Sequence, residues 1–430
     1  MDHPLPPPLP PTPRPMPRQG PRPLPLHLAM EGWLLQMSFA GLTPAWTESS
    51  KGLAHLNGLL STPLQKLLAE QSSQSPSDIA NDWRSQFNPV AFVEALTREA
   101  KARMEQLARG ITRYQNHAYR RTRVAPPPVW TNGSAVVRDY GGGGVPTLFV
   151  PSLVNKAYIL DLAEDRSLMD FAAHHGVHAY LLDWGAPDHA ERQFHLEDYI
   201  CGVLIPALEH VKAITGQTPQ LVGYCMGGTL ATAVAVLRPD VVSGLVLLAT
   251  PWDFHVDSGA TRLFLAQFKP FIDMMLNGTG VASVDFLQAM FASLDPTLVS
   301  RKFRGFAARD TETDAARRFV ELEDWLNDGV DLAGPAARET FFTWYGDNAP
   351  KNAQWRIDGR VIDPRQISTR SLALIPSQDR IVPPASALAL AQQIPGCDTR
   401  QVDLGHIGMI AGGSAAEKVY APLVRWLEKA

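Results

Sequence analysis

The chain has 430 residues, 45% of them hydrophobic, and a formal net charge of −4. That is enough apolar material for a large core and more length than one typical domain, and the charge carries no global bias toward nucleic acid. Its three cysteines, Cys201, Cys225 and Cys397, are odd in number and widely spaced, with no CxxC pair; this argues against a disulfide framework or a zinc site and for a reducing compartment.

In chain order, residues 1–27 are dominated by proline with Arg14, Arg18 and Arg22 between. They predict a disordered leader of polyproline II character, either an inert tail or a docking segment. No apolar h-region is present, so no secretory leader is expected. Residues 28–125 predict a helical region. Its long helix opens at Pro89 and runs to Tyr119, with Phe92, Leu96, Ala100, Met104, Leu107 and Ile111 at helical spacing, a packing face before a partner site. Arg120, Arg121 and Arg123 read as a solvated helix end, and Pro126-Pro127-Pro128 as a boundary. Gly141 to Gly144 lead into no Lys-Ser/Thr pair and no GxGxxG, so they predict a turn and not a phosphate cradle.

Beyond the boundary, short apolar runs alternate with helical stretches: Thr147 to Val150, His178 to Asp183, Gln220 to Tyr224, Gly244 to Ala249, Leu372 to Pro376 and Arg400 to Leu404. Such alternation predicts a mostly parallel sheet covered on both faces, an α/β core spanning 126–252 and 364–430. Residues 253–363 interrupt it with a helical insertion rich in large apolar groups, among them Phe264, Phe268, Phe271, Met274 and Met275. It reads as a cap over a pocket, or as an insertion that packs its own core. His174, His175 and His178 lack an HExxH or carboxylate pattern, so no metal is expected. The apolar stretch from Val241 to Trp252 is too short to span a bilayer.

The most specific signal is Gly223-Tyr224-Cys225-Met226-Gly227, placed after the apolar run Gln220-Leu221-Val222 and before small residues that open a helix. Glycines on both sides permit a sharp strand-to-helix turn that lifts the central side chain above the sheet edge, the context of a nucleophile elbow. The helix N-terminus beneath Cys225 favours thiolate over thiol. Downstream, Asp379 follows the run Leu372 to Pro376, and His406 follows Arg400 to Leu404. Nucleophile, acid, then histidine is the chain order of the α/β-hydrolase fold. Asp403 competes as the acid but is read as lying within a strand. In such a fold the amide of Met226 and one from the loop Pro151-Ser152-Leu153-Val154-Asn155, here Val154, would form the oxyanion hole.

Several blocks together resemble polyhydroxyalkanoate synthases. They are Val150 to Asn155, Tyr158 to Leu162, Leu182-Asp183-Trp184-Gly185-Ala186-Pro187, Gly223 to Thr229, Thr250-Pro251-Trp252-Asp253-Phe254, Trp325-Leu326-Asn327-Asp328, Asp379 with Ile381 to Pro384, and Gly405-His406-Ile407-Gly408. The resemblance runs from about Trp130 to the C-terminus. Short length and the Asp-Trp-Gly-x-Pro block are similar to the class that works with a helical partner subunit; the Pro-rich leader and added helical stretch depart from it. The resemblance implies an acyltransferase in which Cys225 carries the acyl chain, His406 acts as general base and Asp379 either orients His406 or activates the incoming hydroxyl. It implies a (R)-3-hydroxyacyl-CoA substrate, a growing polyester product and released CoA, with no cofactor. It further implies a helical partner subunit, while the Phe- and Met-rich insertion could itself pair two subunits as a homodimer through the cap; a cytoplasmic, granule-associated protein without a transmembrane segment is expected. A polyester depolymerase or thioesterase on the same scaffold, and a granule protein without catalysis, are the alternatives.

Overall fold

The computed structural model describes residues 18–47 and 89–429. Residues 1–17 of the leader, residues 48–88 of the helical region and the Phe92 side chain lie outside the described residues. Two compact units divide the chain. Of the described residues, the first takes those up to Ala118 together with Pro296–Ala316, and the second takes Tyr119–Asp295 with Arg317 onward. The middle of the 253–363 insertion therefore groups with the N-terminal residues.

In the first unit, helices Leu24–Thr47, Pro89–Gln115 and Leu298–Ala307 pack together. The leader as drawn to residue 27 is too long, because helix already begins at Leu24; Pro25 falls in the first turn, where its missing N–H removes no intrahelical bond. Pro89 opens the second helix for the same reason. That helix stops at Gln115 and not at Tyr119. The Asn116 side chain donates to Thr112 O at 3.0 Å and so competes for the last carbonyls. Leu107, Ile111 and Tyr114 are buried, and Tyr114 meets Phe303 edge-on at 5.6 Å.

The second unit holds one eight-stranded sheet. In chain order its strands are β1 (Pro128–Asn132), β2 (Ala135–Asp139), β3 (Val145–Val150), β4 (Val177–Asp183), β5 (Gln220–Tyr224), β6 (Gly244–Leu248), β7 (Ser371–Pro376) and β8 (Asp398–Val402). Their spatial order is β1-β2-β4-β3-β5-β6-β7-β8. β1 and β2 are antiparallel to their neighbours, and β3 to β8 run parallel. Every residue of β5, β6 and β7 is buried, as a sheet covered on both faces requires. At about 1.5–3 kcal/mol per large apolar side chain, these strands and the helices on them dominate stability. All residues of helix Met226–Leu237 are buried as well.

Three sequence readings need correction here. β1 and β2 were not foreseen. Their turn is Gly133-Ser134, with Gly133 at φ 56 in the first turn position, a hairpin signal overlooked beside the prolines. Arg120–Arg123 is not a solvated helix end, because the segment lies outside any helix and turns two guanidinium groups inward. Arg123 pairs with Asp161 and Asp170, each at 2.5 Å, while Arg121 donates to Asp161 O at 2.9 Å. Asp161 is 1% exposed and also accepts from Ser167 Oγ and Tyr140 Oη. A carboxylate so deeply buried demands those cations. Finally, β8 ends at Val402, so Asp403 lies just outside the strand and not within it.

Candidate active site

The carboxyl ends of β5, β7 and β8 converge on one corner. At the end of β5 the backbone of Cys225 takes φ 55, ψ −128, a region a non-glycine residue occupies at a cost of order 1–3 kcal/mol. Two hydrogen bonds hold it: Cys225 N donates to Leu248 O and Gly228 N to Cys225 O, both at 2.9 Å. Neighbouring glycines are sterically necessary. A Cβ on Gly223 would lie 2.4 Å from Gly228 Cα, and one on Gly227 would lie 2.3 Å from Val150 O. Cys225 is only part-buried and touches the hydrophobic clusters on both faces of the sheet.

His406, buried in the loop after β8, engages Asp379 Oδ2 through Nδ1 at 2.7 Å. The other carboxylate oxygen, Oδ1, accepts from Ile381 N and Val382 N at 2.8 Å each. Both oxygens of Asp379 are thus committed, one to the imidazole and one to the backbone. The imidazole lies within electrostatic reach of the Cys225 sulfur. Burial alone would lower the pKa of His406. The negative sulfur of Cys225 and the hydrogen bond to Asp379 outweigh it and push the value up to about 10.

Asp403, the rival acid, accepts from Gln378 Nε2 at 2.6 Å and is exposed. Its contacts are with Gln378 and Ser377, whereas the imidazole of His406 is held by Asp379. Met226 is the first residue of its helix, so its N–H lacks an intrahelical acceptor. Val154 lies in the loop after β3, part-buried against the same cluster as Cys225, and its N–H makes one long contact, 3.4 Å, to Ser152 Oγ. That loop is seated on the elbow: Val150 O and Pro151 O crowd Gly227, and Pro151 O also accepts from Trp184 Nε1 at 3.1 Å.

Two tyrosines join the site that the sequence reading did not name. Tyr224 donates from Oη to His406 O at 3.2 Å, with its ring 5.2 Å from the imidazole. Burial, and then the negative charge at Cys225, raise its pKa well above the usual phenol value, so it stays a donor. Its position directly before the nucleophile, ending a buried strand with a polar handle, was the available signal. Tyr345, in the helical segment Glu339–Gly346, packs on Phe254 at 5.0 Å. It is pushed up to about 12 by burial and then by Cys225, and nothing local in the sequence announces it. The described residues contain no group of three or more His, Cys, Asp or Glu side chains that could hold a metal. His178 instead contacts Asp139 at 2.9 Å, and His174 and His175 bond to backbone carbonyls one turn earlier.

The sheet order, the elbow and the loop-borne His and Asp define an α/β-hydrolase-fold protein with a cysteine at the elbow. Residues 148–412 match the family described as alpha/beta hydrolase fold. The chain is 30% identical over 289 residues to the poly(3-hydroxyalkanoate) polymerase subunit PhaC of Allochromatium vinosum, covering 66% of this chain and 81% of that protein. With the protein of the same name from Synechocystis it shares 31% identity over 298 residues, 66% of this chain and 78% of the relative. It belongs to the poly(3-hydroxyalkanoate) polymerase family. Among solved structures, a carboxylesterase from Nitrososphaera gargenis is similar at a TM-score of 0.47 and 14% identity, covering 70% of this chain and 99% of that one.

Proposed function

We propose that the protein polymerises (R)-3-hydroxyacyl-CoA into a polyester, with Cys225 as the acyl carrier. The observation that carries this reading is a cysteine on a strained elbow whose charge acts on a buried histidine, itself held by a buried carboxylate. In the first step the Cys225 sulfur, its proton already held on His406, attacks the thioester carbonyl. A new sulfur–carbon bond forms, the bond to the CoA sulfur breaks, and His406 returns the proton to the leaving thiolate. In the second step a 3-hydroxyl attacks the acyl-Cys225 carbonyl and gives its proton to His406. The carbon–oxygen bond forms and Cys225 leaves as thiolate, the proton staying on His406.

Exchange of one thioester for another is nearly neutral, and conversion of thioester to oxyester runs downhill. A sulfur nucleophile suits that sequence. Asp379 orients His406 in this scheme; support comes from Oδ2 engaging the imidazole while two backbone amides fix Oδ1. The amides of Met226 and Val154 receive the developing oxyanion, each such donor being worth about 3 kcal/mol.

Partners follow the same reading. Helix Gly259–Thr279 carries Leu263, Phe264, Phe268, Phe271 and Met274 exposed. An apolar surface of this kind suits a polyester granule in the cytoplasm or a second subunit docked through the cap, and a helical partner subunit is the further candidate. No helix of the described residues is long and apolar enough to cross a membrane. The substrate brings its own CoA, and no cofactor is invoked.

The test is incubation with 3-hydroxybutyryl-CoA, following free thiol and turbidity together, with Cys225→Ala as control. Thiol release with turbidity supports polymerisation. Thiol release with soluble hydroxy acid instead makes the protein a thioesterase, and absence of both leaves a non-catalytic granule protein.

A further inference from the structure

The loop after β3 is tied to one distant segment, 325–330, by a run of contacts that the chemistry above does not use. Trp325, itself buried, donates from Nε1 to Lys156 O at 2.9 Å. Lys156 Nζ pairs with Asp328 Oδ1 at 3.1 Å, and Tyr158 Oη donates to Asp328 Oδ2 at 3.2 Å. Asn155 and Gly329 form an isolated antiparallel bridge, and Val330 N donates to Val154 O at 3.3 Å. On its far side the Tyr158 ring carries the Arg121 guanidinium, 4.7 Å from the centroid. Each of residues 154, 155, 156 and 158 is therefore held, the first two by backbone groups and the last two by side chains of one short segment.

An oxyanion donor acts only if its N–H is aimed before the charge develops. A loop outside regular structure has no ladder to aim it. The peptide unit after Val154 is instead fixed from outside, at Val330 N, while the Val154 N–H meets only Ser152 Oγ of its own loop. We propose that Trp325 and Asp328 are positioning residues, a two-point clamp that sets the direction of the Val154 amide for acyl transfer to Cys225. This inference rests on the acyltransferase reading and assigns to that site a control element outside its reacting groups. The Lys156–Asp328 pair is exposed on both sides and is screened by water. Trp325 is thus the principal anchor, and Asp328 with Tyr158 sets the angle.

The experiment uses the full chain and two probes of the same sulfur. Acyl transfer from 3-hydroxybutyryl-CoA passes through an oxyanion; alkylation by iodoacetamide does not, yet it needs the same Cys225–His406 pair. Asp328→Ala and Trp325→Phe are expected to slow first-turnover CoA release by about tenfold to hundredfold, the range for a donor displaced by about 1 Å. KM should stay within about twofold, since ground-state binding is untouched. Alkylation rates should match wild type. Tyr158→Phe, which removes one hydroxyl and keeps the ring, should show the same pattern in smaller measure, and it decides the matter if either other variant does not fold. Equal losses in both probes, a change confined to KM, or unchanged CoA release in all variants would overturn the clamp. If wild type releases no CoA, or Cys225→Ala releases it, the acyltransferase reading fails first and takes the clamp with it.

Discussion

The elbow and the helix Gly259–Thr279 use apolar residues in opposite ways. From Met226 to Leu237 every side chain is enclosed, and the turn before it has no room for one extra methyl group. In Gly259–Thr279 only Leu265, Ile272 and Leu276 are buried, while Phe271 is 54% and Met274 65% exposed. The first region holds a reactive group still by crowding. The second carries apolar area that the fold of this chain does not need. Position is bought with packing in one place, and surface is left free in the other.

The sharpest way to break that contrast is at the sulfur. Cys225→Ala is expected to lower CoA release to background, a loss on the order of 10⁴-fold or more, and His406→Gln should do nearly as much. Cys201→Ala should keep most activity, as a part-buried cysteine outside the corner. Substantial CoA release by Cys225→Ala would show that the elbow's strain serves no chemistry.

Next comes the packing around the corner. Gly227→Ala should prevent the elbow from closing, seen as loss of cooperative thermal unfolding, because its Cβ would meet backbone carbonyl oxygen. Arg123→Met should destabilise by about 3 kcal/mol, read from denaturant midpoints, since it strands the carboxylate of Asp161. A near-neutral result would mean that Arg121 alone compensates that charge.

Electrostatics gives a smaller effect with a definite sign. His406 stands at about 10 against an ordinary 6.5, so its proton is held more tightly in the folded state. The stability owed to that proton is full below about pH 6.5 and disappears as pH rises through about 10. In Cys225→Ala the anionic neighbour is gone, and NMR titration of the His406 ring should give a lower pKa than in wild type. An unchanged value would remove the sulfur from the account of that shift. Smallest in stability terms, Phe268→Ser with Phe271→Ser should leave the thermal midpoint nearly unchanged but reduce self-association or polymer binding in sedimentation. A large drop in midpoint would make this helix part of the core after all.

Much of the α/β core was legible because apolar runs bounded by turn residues mark buried parallel strands, and β3 through β8 were each found within a few residues. The hairpin β1–β2 was not, since Pro126-Pro127-Pro128 masked the Gly133-Ser134 turn beside it. Cys225, Asp379 and His406 announced themselves by order and by their places after strands. The choice of Asp379 over Asp403 needed distances. Arg121 and Arg123 were misread because their partner, Asp161, sits forty residues away in an otherwise apolar block, and no local pattern links them. Residues 296–316 could not be assigned to the N-terminal unit for the same reason: that grouping depends on contacts between segments far apart in the chain.

The shape of the elbow owes nothing to sulfur. Strand hydrogen bonds and flanking glycines impose it, and a hydroxyl at 225 would stand in the same place. Codons for cysteine and serine differ by a single base, so a polymer-building lineage and an ester-cleaving one can lie one replication error apart, with the scaffold unaltered between them.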